Sequence, residues 1–180
     1  MTGTGELSSQ PFLIDFGLAQ LFRDPSTRRH TLPVSGLKTV STIIFTSINS
    51  HLGLTQSCRD DLESLVYSII FLCRGRLPWQ DVIKEDFVTV EQYGAAVLEK
   101  KTALAKTLCR GLPPPFIAFT HHIQSLGFDE RPQYDYLHTL LTQCSARVSN
   151  GVASNPVTVT PSLNKLGLPT SRSEPRSDRM

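Results

Sequence analysis

Few features of this chain suggest a covalent framework or a metal. Its four cysteines, Cys58, Cys73, Cys109 and Cys144, are scattered with no C-x-x-C pair among them. That argues against the common zinc-ligand spacings and leads us to expect reduced, mostly buried thiols in a cytoplasmic or nuclear protein. Excess charge is scarce as well. A net charge of +2 is too small to expect a specific nucleic-acid partner or an anionic membrane surface. The longest apolar run, within Leu65 to Cys73, is too short and too interrupted to span a bilayer, and no apolar leader opens the sequence. The 180 residues suffice for one ordinary domain.

What is present is mainly helical periodicity. Between Ser57 and Gly75, a capping box Ser57-Cys-Arg-Asp60 precedes Leu62, Leu65, Val66, Ile69, Ile70 and Cys73, which repeat at the spacing of one helix face, and Gly75 is placed as a stop. Tyr67, Phe71 and Leu72 add apolar surface on the other faces, and a helix apolar nearly all round wants cover on every side. A second helix is expected from about Val90 to Lys101, capped by Thr89, with Tyr93, Val97 and Leu104 inward and Gly94 weakening it by roughly 1 kcal/mol. Pro113 to Pro115 read as an extended break, after which Phe116, Phe119, Ile123 and Leu126 keep helical spacing up to Gly127. A last helix is expected from about Tyr134 to Cys144. His121 and His122 are adjacent, so they point to different sides of their helix and form no metal pair.

Three stretches read otherwise. Phe12-Leu13-Ile14, ended by Asp15 and Gly17, reads as a strand entering a turn. Arg23 to Lys38 has no period and reads as a loop, in which Arg28-Arg29-His30 is either a phosphate partner or a solvated charge cluster. From Ala146 to Met180 roughly half the residues are Ser, Thr, Asn, Pro or Gly, a composition that does not offset its ordering entropy.

Phe12-Leu-Ile-Asp-Phe-Gly-Leu-Ala19, Ser47-Ile-Asn-Ser-His-Leu-Gly53, Arg59-Asp-Asp-Leu-Glu-Ser-Leu65, Leu77-Pro-Trp-Gln80 and Phe128-Asp-Glu-Arg-Pro-Gln-Tyr-Asp-Tyr-Leu137 follow one another in this order. From about Phe12 to Cys144 the chain closely resembles the carboxyl-terminal lobe of the casein kinase 1 family of serine/threonine kinases, which carries Ser-Ile-Asn where most kinases have Ala-Pro-Glu. The resemblance implies a mainly α (α+β) architecture: an incomplete protein-kinase-like fold, a helical carboxyl-terminal lobe without an amino-terminal lobe or catalytic loop. The expected organisation is an unstructured start at 1–11, the lobe at 12–145 and a disordered Ser/Thr/Pro-rich tail at 146–180.

The resemblance also implies roles for residues. Asp15 stands where the family holds magnesium against the ATP phosphates, a hard cation that wants oxygen ligands. Here it reads as a vestigial magnesium ligand, or simply as the residue that opens the turn before Phe16-Gly17. The Gly-rich loop, the phosphate-binding lysine and the catalytic Asp of a complete kinase precede that motif, and none fits into Met1 to Leu13. No catalytic and no cofactor-binding residue is therefore assigned. Gly17, Ser47, Asn49, Asp61 and Trp79 are structural candidates, Asp61 matching a carboxylate that in the family receives hydrogen bonds from the catalytic loop and here should turn to solvent, Arg59 or a partner. Ile44 replaces an arginine that binds phosphate-like anions and cannot make its bidentate contact. Asp81 and Ile83 replace the Gly and lysine after Leu77-Pro-Trp-Gln80, and Val66 replaces a Gly.

The expected function is that of a module inactive alone and acting, if at all, in interaction or regulation, with protein partners on the uncovered central helix and no cofactor of its own. One alternative is a portion of an active ATP-dependent kinase whose amino-terminal half is missing from this chain, with ATP and magnesium as its cofactors. Another is a scaffold working through its tail.

Overall fold

A computed structural model of the chain describes residues 5, 12–37, 42–84, 89–104 and 107–151. The expected unstructured start, Gly5 apart, and the tail beyond Gly151 lie outside these residues. The architecture is mainly helical. Five α-helices follow in order: α1 Ile48–His51, α2 Cys58–Arg74, α3 Val90–Leu104, α4 Pro114–Ser125 and α5 Tyr134–Gly151, with 3-10 segments at Phe16–Leu18 and Pro78–Lys84. Helix α2 packs on α1 and α4, α4 on α5, and α3 on α1 and the Pro78–Lys84 segment.

The ends of α2 follow from its caps. Asp60 accepts a hydrogen bond from the Ser57 backbone N–H at 2.9 Å, the reciprocal contact of a capping box. Gly75 closes the helix at φ 72°, its N–H donating to the Phe71 carbonyl at 2.7 Å. Arg74, in the last turn, then donates to the carbonyls of Leu108 (2.8 Å) and Arg110 (2.7 Å) and so fastens α2 to the turn before α4. Helix α3 opens on a second reciprocal pair, Thr89 Oγ1 accepting from Gln92 N–H and Gln92 Oε1 from Thr89 N–H, each at 3.2 Å. The core is built around Ile44, Val66, Ile70, Trp79, Val97, Phe119 and Leu137.

Several expectations are corrected. Phe12 to Ile14 form no strand and are exposed, Leu13 at 83%. Among the described residues the strand-like pairing is a single bridge, Arg23 to His30, and a lone segment has no ladder to join. Pro114 and Pro115 lie inside α4 rather than ahead of it, because the first helical N–H groups have no intrahelical partner and proline lacks that group anyway. Helix α5 continues past Cys144 to Gly151, so the boundary expected at residue 146 moves: Ala146 and Arg147 are good helix formers, and extending a helix is far easier than nucleating one. Finally, α2 buries Asp60, Val66, Tyr67 and Ile70, leaving Leu65 and Cys73 exposed and Leu62 and Ile69 half-buried. A helix apolar on nearly every face has no periodicity that selects which face turns inward.

Candidate functional site

Three of the five motifs meet in a buried polar knot where α1 crosses the start of α2. Ser47 caps α1, accepting from the Ser50 N–H at 3.1 Å, and donates its own hydroxyl to Asp60 Oδ1 at 2.9 Å. Asn49 donates to the same oxygen at 3.0 Å. With the Ser57 N–H on Oδ2, and Arg59 Nε 3.6 Å from it, the Asp60 carboxylate is satisfied by groups from three places in the chain. One turn on, Glu63 accepts from the Ile48 N–H at 3.1 Å and from the Tyr67 hydroxyl. Burial raises the Glu63 pKa, and burial followed by the Glu63 charge raises that of Tyr67.

Across the knot lies Lys101, fully buried although its side chain ends in an ammonium. Its Nζ donates to the carbonyls of Ile43 (3.2 Å) and Thr46 and sits 3.2 Å from His51 Nε2. The rings of Tyr67 and Trp79 face it at 4.7 and 5.2 Å. Burial pushes the lysine down to about 7 against the opposing pull of Glu63. Burial and then the Lys101 charge push His51 down to about 4. Trp79 closes the knot, donating Nε1–H to the Ile44 carbonyl at 2.8 Å and meeting Tyr67 edge-on at 4.9 Å.

The candidate residues therefore fall into two groups. Ser47, Asn49 and Trp79 converge on this knot, which holds residues 43–51 onto α2 and α3. Asp61 does not join it: it is exposed at the first turn of α2, and partial desolvation of its carboxyl by the neighbouring residues, followed by the Asp60 charge, raises its pKa. Asp15 and Gly17 stand apart in the exposed segment 12–22. Asp15 adopts the left-handed conformation at φ 62°, and its carboxylate accepts the Gly17 N–H at 3.3 Å, so it opens a 3-10 turn. As a magnesium site this arrangement offers one carboxylate, and among the described residues no group of three His, Cys, Asp or Glu side chains could hold a metal. The residues present do not fit that ion.

Other replacements are absorbed by packing. Ile44 and Val66 lie in the core, and Asp81 pairs with Arg76 at 3.0 Å on the surface. His121 is exposed, while His122 is half-buried with its ring edge-on to Tyr136. Asp60, Glu63 and Lys101 were missed as members of the knot. The capping box had marked Asp60. Lys101 stands eight residues after Tyr93 and four after Val97, on the stripe expected to face inward, but it was read only as the end of that helix because a charged side chain carries no signal of burial.

Around the knot α2 is incompletely covered. Leu65 and Leu72, two turns apart, are 43% and 72% exposed, and a second apolar run, including Phe12, Ile14, Phe16 and Leu18, is exposed in the amino-terminal segment. Among the described residues no helix is long and apolar enough to cross a membrane. No family model matches this chain.

Proposed function

We propose that the chain is a casein kinase 1-like carboxyl-terminal lobe that transfers no phosphate by itself and acts as a protein-interaction module. The observation that carries this reading is the uncovered face of α2, where Leu65 and Leu72 reach solvent from a helix whose opposite side is the centre of the core. Large apolar side chains left exposed on a helix that otherwise builds the core are the kind of surface that a partner covers. The five ordered motifs support the family, and the polar knot gives Ser47, Asn49 and Trp79 structural roles in it. Phosphoryl transfer rests on several positioned groups acting together, and Asp15 alone supplies none of the general base, lysine and phosphate cradle.

The direct test incubates the full chain with labelled ATP, magnesium and casein or an acidic peptide. No incorporation above background is expected. Incorporation that disappears in Asp15→Ala would overturn the reading. A second reading, a portion of an active kinase completed by an amino-terminal half, is favoured by the exposed apolar segment 12–22, the surface such a half would cover. Full-length transcript sequencing separates the two: upstream codons for a Gly-rich loop, a strand lysine and a catalytic loop would establish the second.

A further inference from the structure

Beside the start of α2, the loop 21–30 folds over the segment 129–134 and leaves a groove of about 480 Å³. Arg23, Arg28 and Arg131 line it, as do Cys58 and Tyr134, the first residues of α2 and α5. These helices have 17 and 18 residues, and the macrodipole at their starts favours an anion, against which Asp60 and Asp61 in the first turn of α2 and Asp135 in that of α5 act.

The three acidic residues of the groove balance its arginines in number but form no ion pairs with them. Asp24 turns back on its own loop, accepting from the N–H groups of Ser26 (2.9 Å) and Thr27 (2.6 Å) and from the Thr27 hydroxyl (2.9 Å), contacts that hold its pKa low. Glu130 accepts the Gly127 N–H at 2.9 Å. Asp129 also lines the groove, yet among the described residues none of the three arginines has a carboxylate within ion-pair distance. Arg23 stacks over Phe22 at 5.5 Å with its Nε buried and without a hydrogen-bond partner, a donor left unsatisfied inside the protein. Arg28 is presented from a left-handed backbone, φ 59°, which its turn fixes through hydrogen bonds between Asp24 and residues 28 and 29.

From this convergence we infer that the groove binds a phosphate monoester dianion. Three guanidinium forks suit a tetrahedral group with three terminal oxygens better than they suit a planar carboxylate. The volume exceeds what a phosphate fills, and Leu21, Phe22 and Pro132 give the remainder an apolar wall, which fits a phosphorylated serine or threonine carried on a peptide. This site is independent of the exposed α2 face and of the reading built on it.

The test titrates the full chain calorimetrically with a phosphoserine peptide flanked by alanine and glycine, with its unphosphorylated twin and with inorganic phosphate. Saturable binding of a phosphate-bearing probe, none of the unphosphorylated twin, and at least a tenfold loss in Arg28→Gln/Arg131→Gln are expected. Both arginines are exposed, so the variant should melt with the parent; amide shift mapping on the unmodified chain gives a second readout, with changes centred on residues 21–30 and 129–134. Tighter binding of the peptide than of inorganic phosphate assigns the ligand to phosphoproteins, and equal binding assigns it to free phosphate. Absence of saturable binding, equal binding of the unphosphorylated peptide, unchanged affinity in the double variant, or shifts centred elsewhere would overturn the inference.

Discussion

Asp60 is the residue on which the most separate parts of the chain depend. Three donors, the Ser47 hydroxyl, the Asn49 amide and the Ser57 N–H, are buried or half-buried against one carboxylate. Hydrogen bonds to a charged group contribute about 1.5 to 3 kcal/mol each, and stranded buried donors keep their desolvation cost. Asp60→Ala should therefore lose at least about 3 kcal/mol, read as a lower denaturant midpoint; a midpoint within error of the parent would show that the knot is not structural. His51 provides a pH signature. Its folded pKa of about 4 lies below the ordinary 6.5, so between those values the unfolded chain binds the extra proton and stability falls as the pH falls. Glu63 works the other way, since its raised pKa adds stability at low pH that is lost as the pH rises through its folded value. Comparing melting profiles of the parent and His51→Gln isolates the histidine: the variant should lose less stability on acidification from about 6.5 to 4. Identical slopes would place the His51 ring elsewhere than against Lys101.

At the scale of elements, two glycines in the left-handed region test whether backbone or surroundings demand them. Gly75 caps α2 at φ 72° with open space where a Cβ would stand, so Gly75→Ala meets only the backbone penalty, roughly 1 to 2 kcal/mol. Gly53, at φ 66°, has the Leu37 carbonyl 2.7 Å from that position, because the segment 34–37 runs beside 53–55 through the Leu37–Gly53 and Val34–Thr55 hydrogen bonds. Gly53→Ala should cost clearly more than Gly75→Ala in parallel unfolding curves; the reverse order would mean that the 34–37 segment yields freely. The same elements show what was legible in the sequence. Both ends of α2, the Thr89 cap of α3 and the buried face of α4, Phe116, Phe119, Ile123 and Leu126, could be read in advance because each depends on local chemistry or on a clean period. The buried side of α2 could not, its apolar residues surrounding the axis. Nor could the fate of Phe12 to Ile14, since a strand exists only with a partner, and Lys101 was hidden because its burial depends on carbonyls more than fifty residues away. Of the candidate site, the meeting of Ser47 and Asn49 on Asp60 required the fold.

For the whole molecule, the question is what the exposed apolar surface does in solution. Leu65 and Leu72 lie two turns apart on one flank of α2, and Phe12 to Leu18 expose further large side chains. Covering a leucine fully contributes about 1.5 to 3 kcal/mol, so the two on α2, partly exposed as they are, still offer a sizeable share of the 5 to 15 kcal/mol that stabilises an ordinary domain. A net charge of only +2 supplies little repulsion to oppose contact between copies. Without its partner the full chain should self-associate, with a weight-average mass in sedimentation that climbs with concentration. Leu65→Glu/Leu72→Glu should return it towards monomer with little change in melting temperature, because neither side chain supports the core cluster. Salt separates this association from an electrostatic one: added salt screens charge but does not weaken apolar burial, so the mass should hold or rise. A monomer at every concentration would remove the physical motive for the interaction reading, and association that survives the double variant would move the interface to the amino-terminal segment.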